Sequence, residues 1–242
     1  MNHPAKLLDK FVHGFLGYGN AKGSFWFIGM EEGGKKRNGR IRRRLSAWEE
    51  RGRSEIEDLK EFHDKIGIRD FHKKKPRLQR TWSRLIRIFL TATNGKPPKR
   101  EQVRLYQQTL WGSRKGETCL LELLPLPSPS TRQWSYKKYS GPLPYLASRD
   151  TYEKEVLPGR TKRLKNRIEK HKPKVVILYS FTYVKHWKKL LEVEFPESTD
   201  NGAYFVRVRT TLFVIVKHPV GRGIKNEYFN QAGRRIAELL QV

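Results

Sequence analysis

The chain is short of cysteine, of acid and of long apolar runs. A single cysteine, Cys119, among 242 residues excludes an internal disulfide and any cysteine-ligated zinc or iron–sulfur site of the usual kind. The seven histidines are scattered without ligand spacing, so no metal is expected. The longest apolar runs, VVILY and LFVIV, are far too short to span a bilayer, and the opening MNHPAKLLDK has no apolar signal core. No segment pairs a basic face with a sustained apolar one, which argues against a membrane-surface protein. The expectation is a soluble, cytoplasmic monomer. Asp and Glu number 24 against 51 Lys and Arg, a net charge of +27. The excess is spread over the whole chain, which points to a phosphate backbone as partner.

Core material is plentiful. Hydrophobic residues make up 37% and aromatics 12%, too much for a disordered basic tail. The length suits one domain over residues 1–242, and no internal repeat is visible. Apolar runs at 24–30 (SFWFIGM), 118–130 (TCLLELLPLPSPS), 174–180 (KVVILYS) and 211–219 (TLFVIVKHP) read as strands buried on both faces. The proline-rich end of the second run reads as loop. Helical patterns fall at about 79–92, 101–110, 160–171, 182–191 and 226–240, and 131–159 and 192–202 read as loop-rich. Alternating strands and helices predict an α/β fold, a three-layer α/β/α sandwich around a four-stranded, mostly parallel sheet. In such sheets function collects in loops at the carboxyl ends of the strands.

Three strand ends carry unusual polar residues. Glu31 and Glu32 follow the first strand, where an acid is otherwise a solvated turn residue or an anion near a helix N-terminus. Glu122 interrupts the apolar run CLLELLPL, where an acid needs a partner or a purpose. His218 closes the last strand, and Pro219, Gly221 and Gly223 form a tight loop that projects it. Basic segments GKKRNGRIRRR, containing Arg42 and Arg43, and GRTKRLKNRIEKHKPK suit phosphate contact. Trp48, Trp82, Trp111 and Trp134 read as core more than as stacking platforms. The set FHDKIGIRDFH at 62–72 suggests a metal nuclease, but its spacing matches no ligand pattern.

FIGMEEGG resembles the first signature of the uracil-DNA glycosylase superfamily, a strand leading into a glycine turn, with Gly29, Met30, Glu31, Glu32 and Gly33 in the motif positions. VIVKHPVGRG resembles its last signature, a His-Pro strand end followed by a loop that enters DNA. LLELLPLPSPS is similar to the middle strand, where members carry a base-reading Asn, and PKVVILYS supplies the remaining strand. The resemblance covers about residues 20–240. It implies that Glu31 orients and deprotonates water, that His218 donates to the base O2, and that Gly29, Met30, Glu32 and Glu122 contact the substrate. It also implies that Val220, Arg222 and Ile224 meet DNA, and that no cofactor is needed.

Two departures shape the expected substrate: Glu32 replaces the usual Pro, and Glu122 stands at the Asn position. A carboxylate prefers the exocyclic amine of cytosine, and a protonated one donates to a ring nitrogen. Because excision of ordinary cytosine harms the host, the expected substrate is a hypermodified cytosine, hydroxymethylated or glucosylated, in phage DNA. Glu32 and Gly34 are expected to leave room for its bulky group. The alternatives are a repair glycosylase for uracil or other deaminated bases, and a non-catalytic nucleic-acid-binding protein.

Overall fold

The computed structural model describes residues 3–34, 39–130, 133–196 and 202–241. In chain order the elements are α1 (His3–Gly14), β1 (Gly17–Gly19), β2 (Phe25–Gly33), α2 (Gly39–Glu50), β3 (Ile56–Glu57), α3 (Leu59–Lys65), α4 (Arg80–Asn94) and α5 (Arg100–Thr109). They continue with β4 (Thr118–Ser128), α6 (Arg149–His171), β5 (Val175–Tyr179), α7 (Val184–Leu191), β6 (Tyr204–Val208), β7 (Thr211–Val216) and α8 (Asn226–Leu240). The α/β class is as expected; the strand count is not. The sheet has seven strands in the order β3-β1-β4-β2-β5-β7-β6. The four runs read from the sequence form its parallel centre, β4-β2-β5-β7. The three additions are β1, antiparallel to β4; β3, parallel to β1; and β6, antiparallel to β7. β1 and β3 are too short to show a period, and β6 is a half-buried edge strand.

The central strands are apolar on both sides because both faces are covered. β5 and β7 are buried almost throughout, as are residues 25–30 of β2. α4 packs against α5 and α8, and α6 against α1 and α7. The chain leaves β2 for β4 on one side, then crosses to β5 on the other, so the order reverses at β2/β5. Open α/β sheets form their ligand crevice at this kind of switch point, outside the carboxyl ends of the strands.

Three local readings are corrected. Strand β2 runs on through Glu31 and Glu32 to Gly33, with a register shift against β4 between Glu31 and Gly33, so the two acids sit on a bulged strand end and not in a free turn. Strand β4 continues through Pro125 and Pro127. Both prolines lie between the Glu31↔Leu124 and Gly33↔Ser128 pairings, where the ladder is irregular and a missing N–H is tolerated. Helix α6 begins at Arg149, well before residue 160, started by a Ser148–Thr151 capping box. Its Pro158 is on the exposed side of the helix, where the backbone group left unpaired by the missing N–H faces solvent and not the core. α1, α2 and α3 add to the helices expected.

One buried cation ties these layers together. Arg160 of α6 is about 1% exposed and donates from Nε to Leu123 O at 3.1 Å, from Nη2 to Glu122 O at 2.7 Å and from Nη1 to Phe15 O. Burial pulls its pKa down to about 10. Removing the guanidinium strands three buried carbonyls, each worth about 1 kcal/mol or more. Arg160→Met is expected to lower the unfolding free energy by about 3 kcal/mol in urea, with the denaturant slope unchanged; a loss below about 1 kcal/mol contradicts this role.

Candidate active site

At the carboxyl ends of β2, β4, β5 and β7 opens a cleft of about 950 Å³, lined among others by Glu31, Glu32, Glu122, Tyr179, His218 and Val220. Residues expected from separate parts of the sequence thus meet in one place.

Gly29 makes the centre of the site. It pairs with Glu122 across β2 and β4, and a Cβ there falls 2.0 Å from Tyr179 Oη and 2.4 Å from Glu122 Oε2. The missing side chain is therefore the space that the acid and the phenol occupy. Tyr179 Oη donates to Glu122 Oε1 at 3.0 Å. Glu122 Oε2 is enclosed and has no hydrogen-bond partner among the described residues. Burial pushes the Glu122 carboxyl well above the usual carboxylate range; the neighbouring charges of Glu32 and Glu31 push the same way, and the Tyr179 hydroxyl and Arg160 oppose them.

Glu31 has a side chain about 10% exposed, and Arg149 Nη2 lies 3.0 Å from its Oε2. Beyond this ion pair, that oxygen, like Arg149 Nη1, has no hydrogen-bond partner among the described residues. Arg149 is itself held by Glu153, 2.6 Å from its Nε. Burial raises the Glu31 pKa and Arg149 holds it back. Nothing in the local sequence marks Arg149; it reaches the site because α6 starts earlier than expected.

Glu32 is committed elsewhere. Its carboxylate pairs with buried Arg44, whose Nη1 also donates to Tyr18 Oη at 2.6 Å. Burial alone lowers the Arg44 pKa, but Glu32 and Tyr18 reverse this and leave it raised. Glu32 thus anchors α2 to the strand end, while Met30, about 4% exposed, packs in the core at the cleft's edge and lines it.

His218 accepts a hydrogen bond at Nδ1 from Val220 N at 3.3 Å. A ring nitrogen that accepts carries no proton, so the neutral ring has its N–H at Nε2. Burial lowers the His218 pKa and favours that neutral form. The loop behind it is clamped by Arg84 of α4, which donates to Pro219 O and, at 2.7 Å, to Ile224 O. Val220 is about 39% exposed. Ile224 instead packs on the core beneath Gly221, whose Cβ position is 2.6 Å from Ile224 Cδ1, and Arg222 is exposed.

The expected phosphate contacts divide in the same way. Arg42 and Arg43 are exposed on α2, and Arg43 lines the cleft; residues 35–38 of that basic segment lie outside the described residues. In the second segment Arg160 is buried, Arg163 and Arg167 pair with Glu55, and Lys165 pairs with Glu192, so much of its charge serves the fold. Trp48 is core; Trp111 is buried but, like half-buried Trp82, lines the cleft. In the 62–72 segment His63 Nδ1 lies 3.0 Å from His72 Nε2. No group of three or more His, Cys, Asp or Glu gathers as a metal site among the described residues, and no helix among them is long and apolar enough to cross a membrane.

No protein-family model matches the chain, and a search of curated proteins finds no match.

Because folded Glu122 and Glu31 both hold their protons above the unfolded pKa, the stability they confer is fully present below the unfolded value and is lost as pH rises through the folded one. Urea unfolding from about pH 5 to pH 8 is therefore expected to show Glu122→Gln gaining on the parent as pH increases, by at most about 1.4 kcal/mol per pH unit. A difference that does not change with pH contradicts a buried, proton-holding Glu122.

Proposed function

We propose that this protein is a DNA N-glycosylase with a uracil-DNA-glycosylase-like three-layer fold, which flips out and hydrolytically excises a modified cytosine and leaves an abasic site. The observation that carries the reading is the meeting of Glu31, Glu122 and the Nε2–H of His218, from three strand ends, in one cleft of a chain with net charge +27. Strand-end position in a parallel sheet and a strong positive field both suit a phosphodiester substrate.

Breaking the bond between C1′ and the base nitrogen builds positive charge on the sugar and negative charge on the base. Glu31 supplies a carboxylate for the first and takes a proton from the attacking water. Its raised pKa suits a base working near neutral pH, and Arg149 keeps the charged form accessible. The Nε2–H of His218 donates to the base O2; a neutral imidazole does this without carrying a buried charge. Glu122 faces the Watson–Crick edge and accepts from the cytosine amine at C4. Val220, exposed beside the cleft on a loop whose Pro219 and Ile224 carbonyls accept from Arg84, fills the gap left by the extruded nucleotide. Arg42, Arg43 and Arg222 contact phosphates. The foreign base points to defence against phage DNA.

Alkaline cleavage after incubation with duplexes containing uracil, cytosine, 5-hydroxymethylcytosine or its glucosylated form tests this. Strand breaks are expected with the modified cytosines. Glu31→Gln should reduce them by about a thousandfold and His218→Ala by about a hundredfold or more, with DNA affinity within about twofold of the parent. Release of uracil alone contradicts the substrate assignment in favour of repair, and no release from any duplex leaves a binding protein. Affinity itself should fall steeply with salt, as counterion release requires; a flat salt dependence contradicts the phosphate contacts.

A further inference from the structure

Resting on the glycosylase reading, we propose that Glu122 is a general acid: its Oε2–H passes a proton to the ring nitrogen N3 of the flipped base, which restricts the substrate to pyrimidines with an unprotonated N3 and an amine at C4.

The geometry begins with Tyr179. Its hydroxyl donates to Oε1 at 3.0 Å, so Oε1 is the accepting oxygen and the acid proton resides on Oε2. A buried O–H normally finds an acceptor, yet Oε2 has no partner among the described residues. It lies against Gly29, where a Cβ falls 2.4 Å from it, and the residue lines the cleft. The last torsion of a glutamate is soft and roughly two-fold, so a base entering the cleft draws the O–H toward its own acceptor. The groups around this carboxyl favour the neutral acid: Glu31 and Glu32 on β2 add negative charge, Tyr179 on β5 is neutral, and His218 after β7 is held neutral. The cation opposing them, Arg160, is occupied by backbone carbonyls, Glu122 O among them.

An amide at this position supplies the same hydrogen bonds, an N–H donor for N3 and a C=O acceptor for the amine. What the acid adds is a transferable proton. Cytosine is the poorer leaving group because its amine feeds electrons into the ring that must accept the bonding pair. In the proposed step that pair stays on the base as C1′–N1 breaks, the Oε2 proton moves to N3, and the base departs neutral. Water oxygen bonds to C1′ and its proton goes to Glu31. Glu31 then holds a proton and Glu122 lacks one, and exchange with solvent restores both. Uracil already carries hydrogen at N3, so the same step has no ring acceptor.

Glu122→Gln therefore keeps recognition and removes the acid. Three measurements test this: the 13C resonance of the Glu122 carboxyl as a function of pH in the intact protein, pH–rate profiles on 5-hydroxymethylcytosine duplexes with the parent and the Gln variant, and duplex affinity for both. The expected result is a protonated Glu122 at neutral pH and an alkaline limb in the parent profile that the variant lacks. The variant should also lose about a hundredfold or more in rate, with affinity within about twofold. An ionised Glu122 at neutral pH overturns the proposal whether or not the chain is a glycosylase. So does a variant that keeps its rate or its alkaline limb. A protonated Glu122 in a protein that releases no base from any duplex overturns the glycosylase reading and the acid role with it.

Discussion

Burying Glu122 among β2, β4 and β5 costs free energy, and the arrangement of the strand ends follows from limiting that cost. An isolated carboxylate in a low-dielectric site is far more expensive than a neutral, hydrogen-bonded acid. The Tyr179 hydroxyl bonds the acid, the absent Gly29 side chain makes room for both, and Arg160 pins the backbone that presents it. Each of the three comes from a different element, so the site depends on the sheet being assembled.

The scarcity of acids gives those present specific work. Glu32 binds Arg44, Glu55 binds Arg163 and Arg167, and buried Glu57 binds Arg51 and Arg114. These pairs absorb cations that hold helices and edge strands to the sheet. Cations without such partners among the described residues, including Arg42, Arg43 and Arg222, remain at the surface. A net charge of +27 therefore hides a division between structural arginines and a free set suited to phosphates.

How much of this was legible in the sequence follows from the range of the signals. Continuous apolar runs marked the four central strands, and acids or a histidine at their ends marked Glu31, Glu122 and His218, because both signals are local. β1 and β3 are only three and two residues long and offer no periodicity. The prolines of β4 and α6 hid regular structure because they occupy tolerated positions, a ladder irregularity and an exposed helix face. Tyr179 and Arg84 owe their roles to partners 57 and 140 residues away. Arg149 reaches Glu31 only because α6 begins at residue 149. Ile224, an apolar residue in a glycine loop, resembles Val220 in sequence; burial separates the two.

The proposed activity cuts the bond between sugar and base and leaves the phosphodiester backbone whole. Mass spectrometry of the small molecules released from phage DNA containing hydroxymethylated or glucosylated cytosine tests it most directly. The expected product is the free modified base, with strands intact until alkali is added. Release of nucleotides, or of no base at all, contradicts it.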